Sequence, residues 1–258
     1  MVQMYTNKRQ KIADLICEDV KRWIVRENLK PGDRLPNEKA LMERYECAKA
    51  TIREALHALE VEGLVILKTG PGGGAIINEA TSEPVSRALR NFLHFQRVDG
   101  SQVYQLRRVV EVEIASSVVG RLNDEAISHL KENIARCRLP HEGEELQRQH
   151  RVLELDFHNT LAEYCPNPLL RFMGQFLNDF LRDLVILKKA YVPERFIFDQ
   201  ANIDYHVALL DALVAEDSQL VRQIMNEHMC DAETHLTALE GVVADQFLVN
   251  DALDRELY

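Results

Sequence analysis

The feature that most restricts this chain lies between residues 64 and 78, where the hydrophobic period changes. Up to Gly63 apolar residues recur at helical spacing. From Leu64 the chain runs LVIL, then KTGPGGG, then AIIN: two short apolar, β-branched runs with four glycines and a proline between them. Two such runs joined by a glycine turn predict a hairpin. A glycine-rich loop also raises the question of a phosphate cradle. A P-loop needs G-x-x-x-x-G-K-[ST] leading into a helix, and a dinucleotide fingerprint needs a helix straight after its glycines. This loop has neither the lysine nor the helix. The apolar runs on both sides also speak against a structureless connector, so it is read as a wing.

The preceding residues support that reading. Ile12, Leu15, Ile16, Val20, Trp23 and Ile24 keep helical spacing between Lys8 and Asn28, until Pro31, Gly32 and Pro36 break the pattern. A short helix is expected over Asn37–Tyr45 with Asn37 as N-cap. Another is expected over Ala48–Glu62, with Ile52, Ala55, Leu56 and Leu59 inward and Gly63 as its stop. Three helices followed by a hairpin is winged helix-turn-helix order. From Thr81 the period is helical almost to the end, with breaks near Asn123–Asp124, Leu139–Gly143, Pro166–Pro168, Val192–Pro193 and Glu216–Ser218. One stripe joins Val103, Leu106, Val110, Ile114 and Val118, and another runs from Leu170 to Leu184. Six or seven helices joined by short loops make a bundle. The expected fold class is mainly α: a winged helix-turn-helix over 1–80 and an all-α bundle over 81–258.

Charge divides the chain in the same place. Net charge is −10, yet residues 1–78 hold 13 Lys+Arg against 11 Asp+Glu, leaving 18 against 30 for the rest. This asymmetry is compatible with a small DNA-reading module on an acidic partner domain. No apolar run approaches the roughly 20 residues of a membrane helix. The five cysteines are scattered and never spaced C-x-x-C, against a disulfide framework or a cysteine zinc knuckle. A cytoplasmic location is expected.

The stretch PNEKALMERYECAKATIREALHALEVEGLV resembles the GntR family of bacterial transcription regulators through Leu35, Pro36, Glu38, Leu41, Thr51, Arg53, Ala55 and Leu56, with Gly63–Leu64 turning into the wing. The resemblance implies DNA contacts from Lys39, Lys49, Thr51, Arg53, Thr69 and Gly70. The chemistry agrees: Lys and Arg neutralise phosphates, Arg takes guanine bidentately, and Gly permits close backbone approach. The chain departs from the family pattern at Glu46, where a turn glycine is usual. Ala48 and Ala50 stand at Ser/Thr positions, and Lys39 and Lys49 stand at Arg positions.

The second half carries a histidine pattern. Glu154 and His158 are four apart, hence on one helical face. His206 and His228 each lie eleven residues from the break at Asp217, which sets them side by side in an antiparallel helix hairpin. Both sit on apolar stripes, and imidazoles aimed into a bundle need a partner, such as a metal. Glu154, His158, His206 and His228 are therefore the candidate ligands, while Asp156 faces away. Three imidazoles and a carboxylate suit a divalent Zn or Ni. The alternative is three core histidines satisfied by hydrogen bonds.

This arrangement resembles the FCD effector domain of the FadR branch of the GntR family, with Glu154 where Asp is usual. The resemblance implies an effector-binding arginine on the first long helix, and Arg107 fits its R-x-x-[LI]-E register as Arg107–Val110–Glu111. The expected protein is a homodimeric regulator, not an enzyme. It would read a two-fold symmetric double-stranded DNA operator and sense a small carboxylate through a metal. The alternatives are an acyl-CoA-responsive regulator of the same fold, which would not need the metal residues, and a metal-dependent hydrolase or lyase. The latter would leave the wing unexplained, and no second acidic motif stands out for it.

Overall fold

The computed structural model describes residues 11–70, 73–79, 81–96, 98, 100–140, 144–187 and 196–236, without the side chains of 144–145, 147–148, 183–187, 196–199 and 235–236. The break near Val192–Pro193, His141 and the side chain of His235 lie outside the described residues. The chain forms two compact units, Met1–Arg87 and Ala88–Tyr258. In the first, α1 (Ile12–Arg26), α2 (Glu38–Tyr45) and α3 (Lys49–Val61) precede an antiparallel hairpin of β1 (Val65–Lys68) and β2 (Gly74–Ile77). Asn37 caps α2 by accepting from the Ala40 amide at 2.9 Å. Ile16, Val20, Leu41, Ile52, Ala55, Leu59 and Val65 form the core, each large side chain contributing on the order of 1.5–3 kcal/mol by leaving water. Ile12 and Leu15, although in helical register, are exposed.

The segment before α2 does more than break a helix. Gly32 and Leu35 donate to the carbonyls of Ile77 and Ala75, and Ile77 donates to Asp33, so this stretch lines the free edge of β2. The wing is thereby anchored along two sides. At its tip Gly70 adopts φ +90°, a left-handed backbone that strongly favours glycine. The first unit extends past residue 80, because α4 (Glu83–Gln96) begins within it and Arg87 donates to the Val61 carbonyl at 3.3 Å.

The second unit is helical throughout its described residues. After α4 come α5 (Gly100–Ser117), α6 (Asp124–Cys137), α7 (Glu144–Glu163), α8 (Pro168–Leu187), α9 (Phe196–Val214) and α10 (Ser218–Leu236). Its core is built from Ile114, Val118, Leu130, Phe157, Leu161, Phe180, Leu209, Val221, Met225 and Met229. Two packing details place the functional side chains. Gly174 lets α8 approach α5, since a Cβ there would lie 2.5 Å from Ile114 Cδ1. One turn further along α8, Asn178 reaches the polar residues of α5. Along α5 and into the turn after it the inward stripe is Val103, Arg107, Val110, Ile114 and Val118, whereas Leu106 is 44% exposed. The expected stripe was wrong at this one position, where a buried arginine displaces a leucine.

Candidate functional site

The bundle interior holds a chain of polar groups that apolar periodicity does not reveal. His158 on α7, His206 on α9 and His228 on α10 are all buried, and their ligand atoms lie within 4.8 Å of one another. The tight turn after α9 sets His206 and His228 together, their rings 5.0 Å apart and nearly perpendicular. His158 lies 5.2 Å from the first ring and 5.3 Å from the second. Its Nε2 faces the Nε2 of His228 at 3.3 Å. Phe157 stacks on His206 at 3.9 Å and closes one side of the cluster.

Among the described residues, His206 Nε2 and His228 Nδ1 have no hydrogen-bond partner, although both are buried. Burial, helped by neighbouring imidazoles and Arg107, pushes both well below the usual histidine range. Neutral imidazoles with unsatisfied nitrogens in a buried core are good donors to a borderline divalent cation. The residues present therefore fit a metal.

Glu154 is not part of this group. It is buried one turn before His158, as expected from spacing. However, its Oε1 accepts from Asn202 Nδ2 at 2.8 Å and its Oε2 from Arg151 at 2.8 Å. Asn202 stands one turn before His206 on α9. Asp156 is half-buried and pairs with Arg182 on the other side of α7.

A different carboxylate touches the histidines. Glu111 on α5 is fully buried, and its Oε2 accepts from His158 Nδ1 at 3.1 Å. Its Oε1 accepts from Asn178 Nδ2 at 3.0 Å and lies 3.6 Å from Arg107 Nε. Arg107 also donates to Asn178 Oδ1 at 3.1 Å and is buried, not the surface ion pair that commonly explains such a residue. Burial alone would raise the Glu111 carboxyl, but His158, Arg107 and Asn178 outweigh it and hold the group below its usual range. Sequence reasoning placed Glu111 in register with Arg107 but gave it no role. The available signal was a glutamate one turn after an arginine on an otherwise apolar face.

In the first unit Lys49 and Arg53 project from the start of α3, four residues apart, and both are exposed. Each is held by Glu38: Lys49 Nζ at 3.2 Å from one oxygen and Arg53 Nε at 2.8 Å from the other. The two cations hold the Glu38 carboxyl below its usual range. Lys39 on α2 and Thr69 and Gly70 at the wing are exposed, and Thr51 is half-buried. Ala48 caps α3 without any side-chain hydrogen bond, and Glu46 ends α2 at φ 47°.

A winged helix with paired cations at the start of its third helix, followed by an α-helical unit with a buried polar centre, defines a ligand-sensing DNA-binding regulator. Comparison with known proteins agrees. Residues 12–74 match the bacterial regulatory proteins of the gntR family, and residues 102–231 match the FCD domain. The chain belongs to the GntR family and carries an FCD domain; it is a DNA-binding, ligand-responsive transcription regulator rather than an enzyme. It is similar to the HTH-type transcriptional repressor NanR of Enterobacter sp. (strain 638), 26% identical over 239 residues that cover 86% of this chain and 84% of that protein. NanR of Cronobacter sakazakii (strain ATCC BAA-894) matches with the same identity and coverage. The solved structure of Streptococcus agalactiae GntR shares the fold, with a TM-score of 0.55 and 20% identity over 86% of this chain and 99% of that one. No helix among the described residues is long and apolar enough to cross a membrane.

Proposed function

We propose that this protein is a metal-containing regulator in which a small organic acid, bound in the helical unit, changes the affinity of the winged helix for DNA. The observation that carries the reading is the buried triad of His158, His206 and His228, whose ligand atoms lie within 4.8 Å of one another and two of whose nitrogens, His206 Nε2 and His228 Nδ1, have no hydrogen-bond partner. A divalent ion, Zn or Ni by the softness of the donors, would be held by these three and would supply Lewis acidity toward an oxygen ligand. Glu154 is the fourth donor in this reading, and taking that role means exchanging Asn202 and Arg151 for the metal. Arg107 is the cation for the effector carboxylate, with its guanidinium already in the buried network. An acyl-CoA effector would leave the histidine triad without a purpose.

On DNA, Arg53 and Lys49 enter the major groove from α3, Thr51 lies between them, Lys39 meets phosphate from α2, and Thr69 and Gly70 approach the backbone from the wing. A homodimer on a two-fold symmetric operator is supported by apolar side chains that the second unit leaves open, Phe92 and Phe95 on α4 and Leu106 and Val109 on α5. DNA as partner places the protein in the cytoplasm. The effector acts only through a difference in its affinity for the DNA-competent and DNA-incompetent states. Elemental analysis of protein purified without chelator or nickel resin tests the reading. About one Zn or Ni per chain is expected, lost in His206→Ala/His228→Ala while the far-ultraviolet circular dichroism stays helical. No metal in the parent protein, even after soaking with either ion, contradicts it.

A further inference from the structure

We infer that Glu111 is the positioning residue of the metal centre: it fixes His158 as the Nδ1–H tautomer and thereby turns the Nε2 lone pair toward the metal. This inference rests on the proposed metal function and deepens it.

A histidine has two nitrogens, and in the neutral ring only one offers a lone pair. His158 Nδ1 lies 3.1 Å from Glu111 Oε2. An ionised carboxylate only accepts, so the proton of His158 must sit on Nδ1. The other nitrogen is then a donor to a cation, and it points at His228 Nε2 at 3.3 Å, inside the triad. Glu111 cannot turn away or become a ligand itself, because its second oxygen is taken by Asn178 at 3.0 Å and faced by Arg107 at 3.6 Å. The carboxylate is fully buried. A carboxylate behind a ligating imidazole fixes its orientation and raises its basicity, and losing it typically costs about 10–100-fold in metal affinity. Because Glu111 also faces Arg107, the group proposed to grip the effector and the group that orients a metal ligand share one carboxylate.

The substitution Glu111→Gln makes the inference sharp. A glutamine keeps the shape but has one oxygen and one amide nitrogen. Asn178 Nδ2 donates to the site of Oε1 and the Arg107 cation faces it at 3.6 Å, so the glutamine oxygen goes there and its amide hydrogens face His158 Nδ1. His158 must then accept at Nδ1 and carry its proton on Nε2, the nitrogen the metal needs.

Two measurements on the full chain test this. In metal-free protein at pH 8, nitrogen-15 spectra of the histidine rings, assigned with His158→Ala, report the tautomer directly. The Nδ1–H form is expected in the parent protein and the Nε2–H form in Glu111→Gln. A parent protein with the proton on Nε2 overturns the inference without any need for the variant to fold. Zn(II) affinity by chelator competition is expected to fall about 10–100-fold in Glu111→Gln while the helical circular dichroism is retained. Equal affinity in parent and variant overturns the Glu111 assignment and leaves the metal reading standing. A parent protein that binds no Zn(II) at all overturns the metal reading and this one together.

Discussion

Two clusters in this protein share one plan, a carboxylate between two basic groups, and differ in what surrounds them. Glu38 holds Lys49 and Arg53 with side chains 33%, 56% and 63% exposed. Glu111 holds His158 and faces Arg107 with side chains 0%, 2% and 4% exposed. Water decides what each can be used for. Exposed pairs are worth about 0–1 kcal/mol, so in the proposed DNA complex phosphates and base edges replace Glu38 at little cost. Without DNA, Glu38 keeps two long side chains at the start of α3. In the buried cluster no solvent can stand in for a missing partner, so each group is obligatory and the geometry is fixed. The exposed cluster is built for exchange, the buried one for constancy.

That contrast breaks first under Arg107→Ala. Removing one member of a buried pair leaves an uncompensated charge and is expected to cost about 3–5 kcal/mol, read as a lower denaturation midpoint by circular dichroism. Arg53→Ala, which removes a member of the exposed cluster, is expected to shift stability by no more than about 0.5 kcal/mol. Equal losses in the two variants would mean that burial does not separate the clusters.

Arg53→Ala shows its effect on DNA instead. With an operator selected from random duplexes, affinity is expected to fall by about 1–3 kcal/mol if Arg53 reads a base. The slope of log affinity against log salt is expected to drop by about one if it contacts phosphate alone. Unchanged affinity at physiological salt removes Arg53 from the interface. In the proposed DNA complex Glu38 competes with the phosphates for the Arg53 guanidinium, which it holds at 2.8 Å.

The exposed cluster was the more legible of the two in the sequence. The hairpin announced itself through glycines between β-branched runs, and the resemblance to the GntR family pointed to Lys49 and Arg53 on the helix before it. The meeting of His206 and His228 was also legible, because equal distance from one turn is local information. Glu111 was not, because its partners come from α7 and α8, 47 and 67 residues away. Apolar periodicity treats Arg and Glu as outward-facing, so it put Leu106 on the inward stripe where the bundle buries Arg107. The same blindness hid Asn202 and Arg151, which occupy Glu154. It also hid the pairing of residues 32–35 with β2, since an eight-residue stretch rich in Pro and Gly carries no strand pattern.

Between the helices of the first unit lies a position where sequence and backbone disagree. Glu46 adopts φ 47° and ψ 44°, a left-handed conformation that costs a residue with a Cβ roughly 1–2 kcal/mol. Glycine removes that strain but adds freedom to the unfolded chain, an offset of about 0.4–1 kcal/mol. Glu46→Gly is therefore expected to stabilise the first unit by about 0.5–1 kcal/mol. Trp23 on α1 is the only tryptophan of the chain, so its fluorescence follows this unit's unfolding in the intact protein. The substitution also deletes a negative charge beside the recognition helix, which should strengthen DNA binding through weaker repulsion of phosphate. Glu46→Ala separates the two effects: it deletes the charge and keeps the strain. If alanine gains DNA affinity without stability and glycine gains both, the exposed face is tuned by charge and the turn by backbone. If alanine stabilises as much as glycine, the left-handed backbone at Glu46 carries no cost and charge alone accounts for the gain.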